Sequence, residues 1–474
     1  MSSMMNVSTA AAANAADSSL LGVLTLSVDG LAAPKAAAEL ICPKMRRSFD
    51  MYDVPLAQLT SLGMQQMMEL GAHIRQQYVE DRALLAPSLR QKGGGRTEFD
   101  SYFHASWLDR FAQGAVAMGH GLYPDVDGPE GLFPQPVPVY MQFEKTEHDL
   151  AAVRGPCKRT KKNDYKKYAH QRAPDLLWAH RKLLRKVSKH CGIDFTDYSY
   201  ASGGVDQVGS IIDLAEMLAS DRAHGFPMLP GLTDDMFDEL QQLAFQAMVE
   251  RSLSSSRRVT YWLGGFTDVF MNNLRAMQGT EQGAPHKLYS YHAQRELSLA
   301  LQKLLEWQPP ASGNDSVPSA LGLNALPPSS TLFFELHATQ PPASTEIPVT
   351  SKFHVRTYQW TPQDGRQPVQ LGICQDLACP WEAVEARFHT HLNKTGLWYD
   401  ICDYHLVNAP VKKSLLSASL EMAWMNFDMF LYAVVLFVSV GFAVTATVRR
   451  IEKLERSRRP QTTPRRLRLA RTAL

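Results

Sequence analysis

The apolar run Leu20–Leu26, followed directly by a turn that contains Gly30 and Pro34, constrains the fold of this chain most. A short apolar run that ends in a Gly/Pro turn is typical of a strand buried in a parallel sheet. The next periodic segment, Leu59–Tyr78, has apolar residues at helical spacing and offers Thr60 or Ser61 as its N-cap. The chain is therefore expected to begin as a strand followed by a helix.

Strands and helices continue to alternate after this first pair. Further strands are predicted at Asp100–Phe103, His286–Tyr291, Thr331–Glu335 and Ser351–Tyr358, and further helices at Trp107–Met118, Thr233–Leu253, Phe266–Met277, Gln294–Trp307 and Trp381–Leu392. This order predicts an α/β fold with a mostly parallel sheet, helices on both faces and an inserted α-helical cap at about residues 130–255.

Seven sequence blocks, in order between Leu20 and Leu392, resemble the histidine acid phosphatases, branch 2 of the histidine phosphatase superfamily. The blocks are Leu59–Tyr78, Leu108–Pro124, Val259–Phe266, Lys287–His292, Thr331–Leu336, His354–Tyr358 and Gly372–Pro380. The resemblance implies that family's α/β fold and a phosphate site on the turn after the first strand.

The residues at that implied site depart from the family pattern. The family's first motif, Arg-His-Gly-x-Arg-x-x-Pro, supplies the nucleophilic histidine and two arginines. A third arginine lies upstream of the Asp-Arg step, and a distal His-Asp pair supplies the acid. The matching positions in this chain hold, in chain order, Val28, Asp29, Ala32, His104, His292 and Ala293.

These replacements remove the groups that phosphoryl transfer needs. An aspartate cannot act as the histidine nucleophile, and its negative charge repels a phosphate dianion. Valine and alanine cannot pair with phosphoryl oxygens as arginine does, and Ala293 cannot protonate a leaving group. The resemblance therefore implies a catalytically degenerate member, a pseudophosphatase rather than an enzyme.

The remaining polar residues, Asp29, His104 and His292, are expected to converge at the carboxyl ends of the strands. Two histidines and a carboxylate are a possible metal-ligand set. No ligand spacing supports a metal, however, so we expect neither a metal nor a cofactor. Arg110 is expected to hold neighbouring backbone rather than to act in catalysis.

The six cysteines allow fifteen disulfide pairings if all are paired. Cys374 and Cys379 are close in sequence and precede Pro380, so they are the favoured pair. The block that contains them also resembles the family's C-terminal disulfide-bridged loop.

Met429–Val448 is a run of twenty residues without a charge, bounded by Asp428 and Arg449. As a helix it would span about 30 Å, the thickness of the apolar core of a bilayer. The expected organisation is a disordered leader at 1–19, a globular domain at 20–410, a linker at 411–428, a single transmembrane helix at 429–448 and a basic tail at 449–474.

The positive charge of the chain is concentrated in its C-terminal tail. Arg449–Leu474 holds ten Arg or Lys and two Glu, a sum of +8, so the rest of the chain carries 2 − 8 = −6. An arginine-rich tail with few acids resembles a mitochondrial presequence. The preferred location is therefore the mitochondrial inner membrane, with the tail in the matrix and the domain in the intermembrane space. The alternative is a type I protein of the secretory pathway or cell surface, although residues 1–19 lack the basic start of a signal peptide.

Residues 154–189 form a second basic stretch, with thirteen Lys or Arg against two Asp. The stretch is interpreted as a solvated helix surface or as a docking site for an acidic partner or anionic lipid. The charge distribution favours membrane orientation over nucleic-acid binding, so no nucleic-acid partner is expected.

The functional hypothesis is a non-catalytic accessory subunit of a larger membrane complex, such as a respiratory or ATP synthase complex. Two alternatives remain open. One is a membrane-anchored acid phosphatase acting on phosphomonoesters or lysophospholipids, and the other is a phosphate- or lipid-binding sensor.

Overall fold

The computed structural model describes residues 18–45, 51–89, 99–124, 136–196, 206–279, 286–308, 318–339, 352–404 and 449. The chain divides into two compact units, Met1–His405 and Leu406–Leu474, and the α/β fold belongs to the first. The predicted linker 411–428 and span 429–448 lie outside the described residues, as does the predicted tail except for residue 449. Within the described ranges, no helix has the length and apolar character needed to cross a membrane.

The described strands form a large central sheet and a small separate pair. They are β1 Ser18–Ser27, β2 Ser101–Ala105, β3 Val139–Met141, β4 Leu288–His292, β5 Trp307–Gln308, β6 Ser319–Ala320, β7 Leu323–Asn324, β8 Thr331–Thr339, β9 Phe353–Thr361, β10 Gly365–Leu371 and β11 Ala378–Pro380.

The described helices lie between and after these strands in the chain. They are α1 Ala38–Ile41, α2 Ser61–Arg75, α3 Asp109–Leu122, α4 Lys158–Gln171, α5 Ala173–Ala179, α6 Arg181–Cys191, α7 Gln207–Ala223, α8 Asp234–Leu253, α9 Ser256–Leu263, α10 Phe266–Met277, α11 Arg295–Leu304, α12 Trp381–Thr395 and α13 Trp398–Ile401. A π-helical turn, Gln76–Glu80, continues α2.

The central sheet is mixed, which corrects the prediction of a mostly parallel sheet. Its order is β3-β2-β4-β1-β8-β9-β10-β5, with β11 also paired to β9. The strands β3, β2, β4 and β1 are parallel, whereas every described pairing from β1–β8 onward is antiparallel. The sheet is therefore parallel on one side and antiparallel on the other.

The connection between β9 and β10 accounts for one of the antiparallel pairings. Three residues, 362–364, join β9 to β10, and so short a connection permits an antiparallel hairpin but no parallel crossover. In the parallel half, α2 and α3 separate the strands and pack beside them. The large buried core there includes Met67, Leu70, Phe103, Met118 and Phe333.

The first strand begins at Ser18, two residues before the end of the predicted leader 1–19, and residues 1–17 lie outside the described residues. The reason is the length of β8, since Ser18 and Ser19 pair with Thr339 and Ala338 at its far end. Other strands that the sequence pattern did not reveal are short, namely β3, β5, β6 and β7, or polar, as in β10.

Disulfides connect distant parts of the domain. The structure pairs Cys374 with Cys379, as the sequence favoured, and it also contains Cys42–Cys191 and Cys157–Cys402. The last two join positions 149 and 245 residues apart in sequence. They hold the two ends of the α4–α6 segment against the rest of the domain.

Candidate functional site

The turn after β1 is fixed on both sides. The backbone N–H of Val28 donates to the carbonyl of Ser330, and the carbonyl of Asp29 accepts a hydrogen bond from the backbone N–H of Ser329. The turn therefore continues the contact between β1 and β8. On the other side Gly30 lies against Gly63 of α2, where an added Cβ would lie 2.4 Å from the Gly63 carbonyl oxygen. Only glycine permits this close approach of two backbones. The side chain of Asp29 is therefore carried by a rigid turn.

This turn forms one wall of a cavity of about 490 Å³. The opposite wall comes from α7 and α8, which contribute Ile212, Met217, Phe237 and Phe245. The start of α11 and the segment after β7 complete the lining. Val28, Asp29 and Ala32, three of the positions singled out from the sequence, lie in this cavity.

Asp29 is held by an arginine at the start of α3. The Arg110 Nε lies 2.5 Å from the Asp29 Oδ2, and both side chains are mostly buried. The sequence predicts a backbone-supporting role for Arg110, but the structure places it in the cavity wall as the partner of Asp29. The pair occupies the part of the site where the resemblance implies a nucleophile and its phosphate.

A second group of charges crosses the cavity from the turn to α7. The Lys35 Nζ lies 2.5 Å from the Glu216 Oε2, and an Arg295 guanidinium nitrogen lies 2.6 Å from the Glu216 Oε1. Lys35 also lies 3.6 Å from Asp213. Burial opposes ionisation of Glu216, but the charges of Lys35 and Arg295 outweigh it and lower its pKa to about 2. Glu216 is therefore an anion bound by two cations.

The charges that line the cavity nearly cancel. Four cations, Lys35, Arg110, Arg154 and Arg295, face five acids, Asp29, Asp213, Glu216, Asp238 and Glu296, a formal sum of −1. Because three of the cations are already paired with carboxylates, little positive charge remains to bind a phosphate dianion. The arrangement favours closed ion pairs over phosphoryl-group recognition.

His292 ends β4 but does not line the cavity. It pairs in register with Ser27 of β1, and its Nε2 lies 3.1 Å from the Ser290 Oγ. Only 1% of His292 is exposed, and burial, together with the nearby His104, lowers its pKa to about 3. It is a neutral core histidine at neutral pH. Ala293, which follows it, is also fully buried and outside the cavity lining.

His104 lies on the other face of the sheet, which corrects the expectation that it converges with His292. Pairing of Ala105 with His292 places His104 beside Tyr291 instead, because successive side chains in a strand point to opposite faces. The ring of His104 contacts Tyr140, at 4.8 Å between centroids. Burial, with a smaller effect of His148, lowers its pKa to about 4.

Asp29, His104 and His292 therefore do not form a common site. In the parts of the chain that the structure describes, no group of three or more His, Cys, Asp or Glu is placed to hold a metal. The sheet separates His104 from His292, and neither histidine lines the cavity that contains Asp29.

Sequence reasoning missed the residues that complete the cavity. Lys35 follows Pro34 directly and Arg295 lies three residues after His292, so both are close to recognised motifs. Glu216 lies in a helix within the predicted cap, and nothing in its local sequence indicates that it meets them. The pairing depends on how α7 packs beside the turn.

Comparison with known proteins agrees with this fold. A family model described as "Histidine phosphatase superfamily (branch 2)" matches residues 30–198. The matched range begins one residue after Asp29. The comparison with curated protein sequences found no match.

Three solved structures show the likeness in three dimensions. Hafnia alvei phytase is 16% identical, with a TM-score of 0.55, covering 79% of this chain and 97% of its own. The Klebsiella sp. ASR1 phytase is 18% identical, with a TM-score of 0.55 and coverage of 80% and 98%. The phytase from D. castellii is 12% identical, with a TM-score of 0.51 and coverage of 82% for both chains. The shared fold and the family match confirm that this chain resembles the histidine phosphatase superfamily, branch 2.

Proposed function

We propose that this domain is a pseudophosphatase, which keeps the histidine phosphatase fold without catalysing phosphoryl transfer. The pairing of Asp29 with Arg110, in the place that the resemblance gives to the nucleophile, carries the proposal. Asp29 cannot attack phosphorus as histidine does, and its pairing occupies the nearest arginine. The two arginine positions of the first motif hold Val28 and Ala32 in this chain.

A phosphatase assay of the purified full-length protein tests this proposal. We expect no turnover of p-nitrophenyl phosphate above background, and Asp29→Ala should be indistinguishable from the wild type. Hafnia alvei phytase serves as the active control. Thermal unfolding of both variants verifies that each is folded. Turnover by the wild type that Asp29→Ala abolishes would show that this site performs a different phosphatase chemistry.

We further propose that residues 429–448 anchor the protein in a membrane. In this proposal the protein acts as an accessory subunit of a membrane complex, and the mitochondrial inner membrane is the preferred location. The support comes from the uncharged run and the basic tail in the sequence. Extraction in mild detergent followed by native gel electrophoresis tests the subunit role. A large, stable assembly is expected, and migration as a free monomer would contradict it.

The cavity supports a second candidate function, that of a ligand sensor. It retains a volume of about 490 Å³ and apolar lining residues that include Ile212, Phe237 and Phe245. A lysophospholipid that fills it should raise the thermal unfolding midpoint, whereas inorganic phosphate should not. Lack of any shift with the lipid would remove the sensor from consideration.

A further inference from the structure

The helices α4, α5 and α6 present a strongly basic surface to solvent. Ten Lys and Arg side chains within residues 158–191 are exposed, and we call these residues the basic face: Lys158, Arg159, Lys162, Lys166, Lys167, Arg172, Lys182, Arg185, Lys186 and Lys189. Among the described residues 158–191, Asp175 is the one exposed acid, since Asp164 is buried. The surface is therefore almost purely cationic.

Packing of the three helices directs these charges outward. All three contact α8. In α6 the apolar side, with Leu183, Leu184 and Val187, is buried. Lys182, Lys186 and Lys189 are exposed, at the spacing that places residues along one side of a helix. The apolar side of the segment thus anchors it to the domain and leaves the basic side free.

The charges of the basic face have no counterions within the described part of the chain. None of its ten cations forms an ion pair with a described carboxylate. Beside them Trp178 is 55% exposed, and the guanidinium of Arg181 lies 4.4 Å from its ring centroid. An exposed tryptophan among long cationic side chains is the chemistry of a bilayer interface, where the ring lies at headgroup level.

The basic face begins where the chain leaves the described domain. Cys157, directly before α4, is bonded to Cys402, with 4.9 Å between their Cα atoms. Thr160 also donates its hydroxyl to the backbone carbonyl of Ile401. From Tyr404 the chain continues toward residues 429–448, which the sequence predicts to span a membrane. The start of the basic face is thus covalently linked to the segment that leads to the predicted anchor.

We propose that the basic face lies on the headgroups of an anionic phospholipid bilayer and orients the domain on the membrane. The inference rests in part on the proposed anchor, because the anchor tethers the domain to a bilayer. Anionic headgroups supply the counterions that the described residues lack, and Trp178 enters the interface. Such a surface needs no groove or matched partner shape.

Lysine labelling of the full-length protein tests the proposal. The protein is reconstituted into phosphatidylcholine liposomes with or without phosphatidylglycerol, acetylated briefly and analysed by mass spectrometry. Acetylation of Lys162, Lys166, Lys182 and Lys186 should fall about fivefold or more in the anionic liposomes, and added salt should restore it. Lys352, exposed next to β9, is the internal control and should be labelled equally in both.

A pair of matched variants separates charge from structure. Lys182→Gln with Lys186→Gln removes two charges from the basic face, whereas Lys182→Arg with Lys186→Arg keeps them. The neutral pair should lose most of the protection at Lys162 and Lys166, because loss of two charges weakens the contact with the anionic surface roughly thirtyfold. The arginine pair should behave as the wild type.

The outcomes distinguish this proposal from the anchor on which it partly rests. Salt-resistant flotation with neutral liposomes reports the anchor alone. If the protein floats but labelling is equal in neutral and anionic liposomes, the proposed contact is wrong although the anchor stands. If it floats only with anionic liposomes and salt releases it, the basic face binds lipid without an anchor. Protection that appears only on addition of an acidic protein would also overturn the proposal.

Discussion

At the scale of single residues, the clearest buried charge is Glu335 in β8. Its carboxylate is fully buried and contacts the Tyr78 hydroxyl at 2.7 Å, Arg82 at 2.8 Å, His337 at 3.0 Å and Arg366. Burial opposes its ionisation, but these partners outweigh burial and hold its pKa far below the usual range. Glu335→Gln would leave buried cations without a counterion, so it should lower the free energy of unfolding by about 3–5 kcal/mol in a denaturant titration.

Glu80 provides the matched control for this substitution. It also pairs with an arginine, Arg75, at 3.0 Å, but its side chain is 54% exposed. Surface ion pairs contribute little, so Glu80→Gln should change the free energy of unfolding by less than about 1 kcal/mol. If the two substitutions changed the free energy of unfolding equally, the buried ion pairs of Glu335 would stabilise the fold no more than a surface pair does.

The location of a site residue was predictable from the sequence only where a recognised motif contains that residue. Asp29 was identified because the turn after the first strand matches the first motif of the family that the chain resembles, and the structure places it in the cavity wall. Its pairing with Arg110 was not predictable, since the two residues lie on separate elements. His104 was assigned by counting residues, and counting does not show which face of a strand a side chain occupies.

At the scale of elements, the domain depends on disulfides that close loops of very different length. Cys157–Cys402 closes a loop with a sequence separation of 245, and Cys374–Cys379 one of 5. In the chain-entropy estimate these loops contribute about 5 and about 2 kcal/mol of stability. Cys157→Ser with Cys402→Ser should therefore lower the thermal unfolding midpoint more than Cys374→Ser with Cys379→Ser. The opposite order would show that the long connection is already restrained without its disulfide.

Elements with strong end signals were predicted well. Helix α10 has the bounds expected from the sequence, and Thr60 and Thr233 cap α2 and α8 through their side chains. Strand direction was predicted less well, because apolar content indicates burial but not orientation. The antiparallel pairing of β9 with β10 follows from their three-residue connection, which composition alone does not reveal.

At the scale of the whole molecule, stability should depend on pH because histidines are buried without charge. His104 and His292 are 2% and 1% exposed, and burial lowers their pKa values to about 4 and about 3. Below the pKa of about 6.5 that histidine has in the unfolded chain, these two side chains bind protons in the unfolded state but stay neutral in the folded state. Their contribution to stability is therefore complete above that pH and is lost as the pH falls toward 3 to 4.

Buried acids with raised pKa values oppose this trend over part of the same range, and Glu147 is the clearest of them. Burial raises the pKa of Glu147 to about 7, so the folded state holds a proton there that the unfolded chain releases above its own pKa. The contribution of Glu147 to the stability of the fold is present at low pH and is lost as the pH rises through 7. Burial also lowers the pKa values of His73, His354 and His391 to about 4 and raises those of Asp149, Asp213 and Asp268. Five histidines against four acids leave a net loss of stability on acidification.

Unfolding midpoints measured between pH 7 and pH 4 should therefore fall as the solution becomes more acidic. His292→Gln should flatten this fall by about one proton, or about 1.4 kcal/mol per pH unit, whatever it costs in absolute stability. Glu147→Gln should steepen the fall, because it removes the opposing group. If His292→Gln left the slope unchanged, His292 would already be protonated in the fold. The basis for treating it as a neutral core residue rather than a remnant of a working site would then be lost.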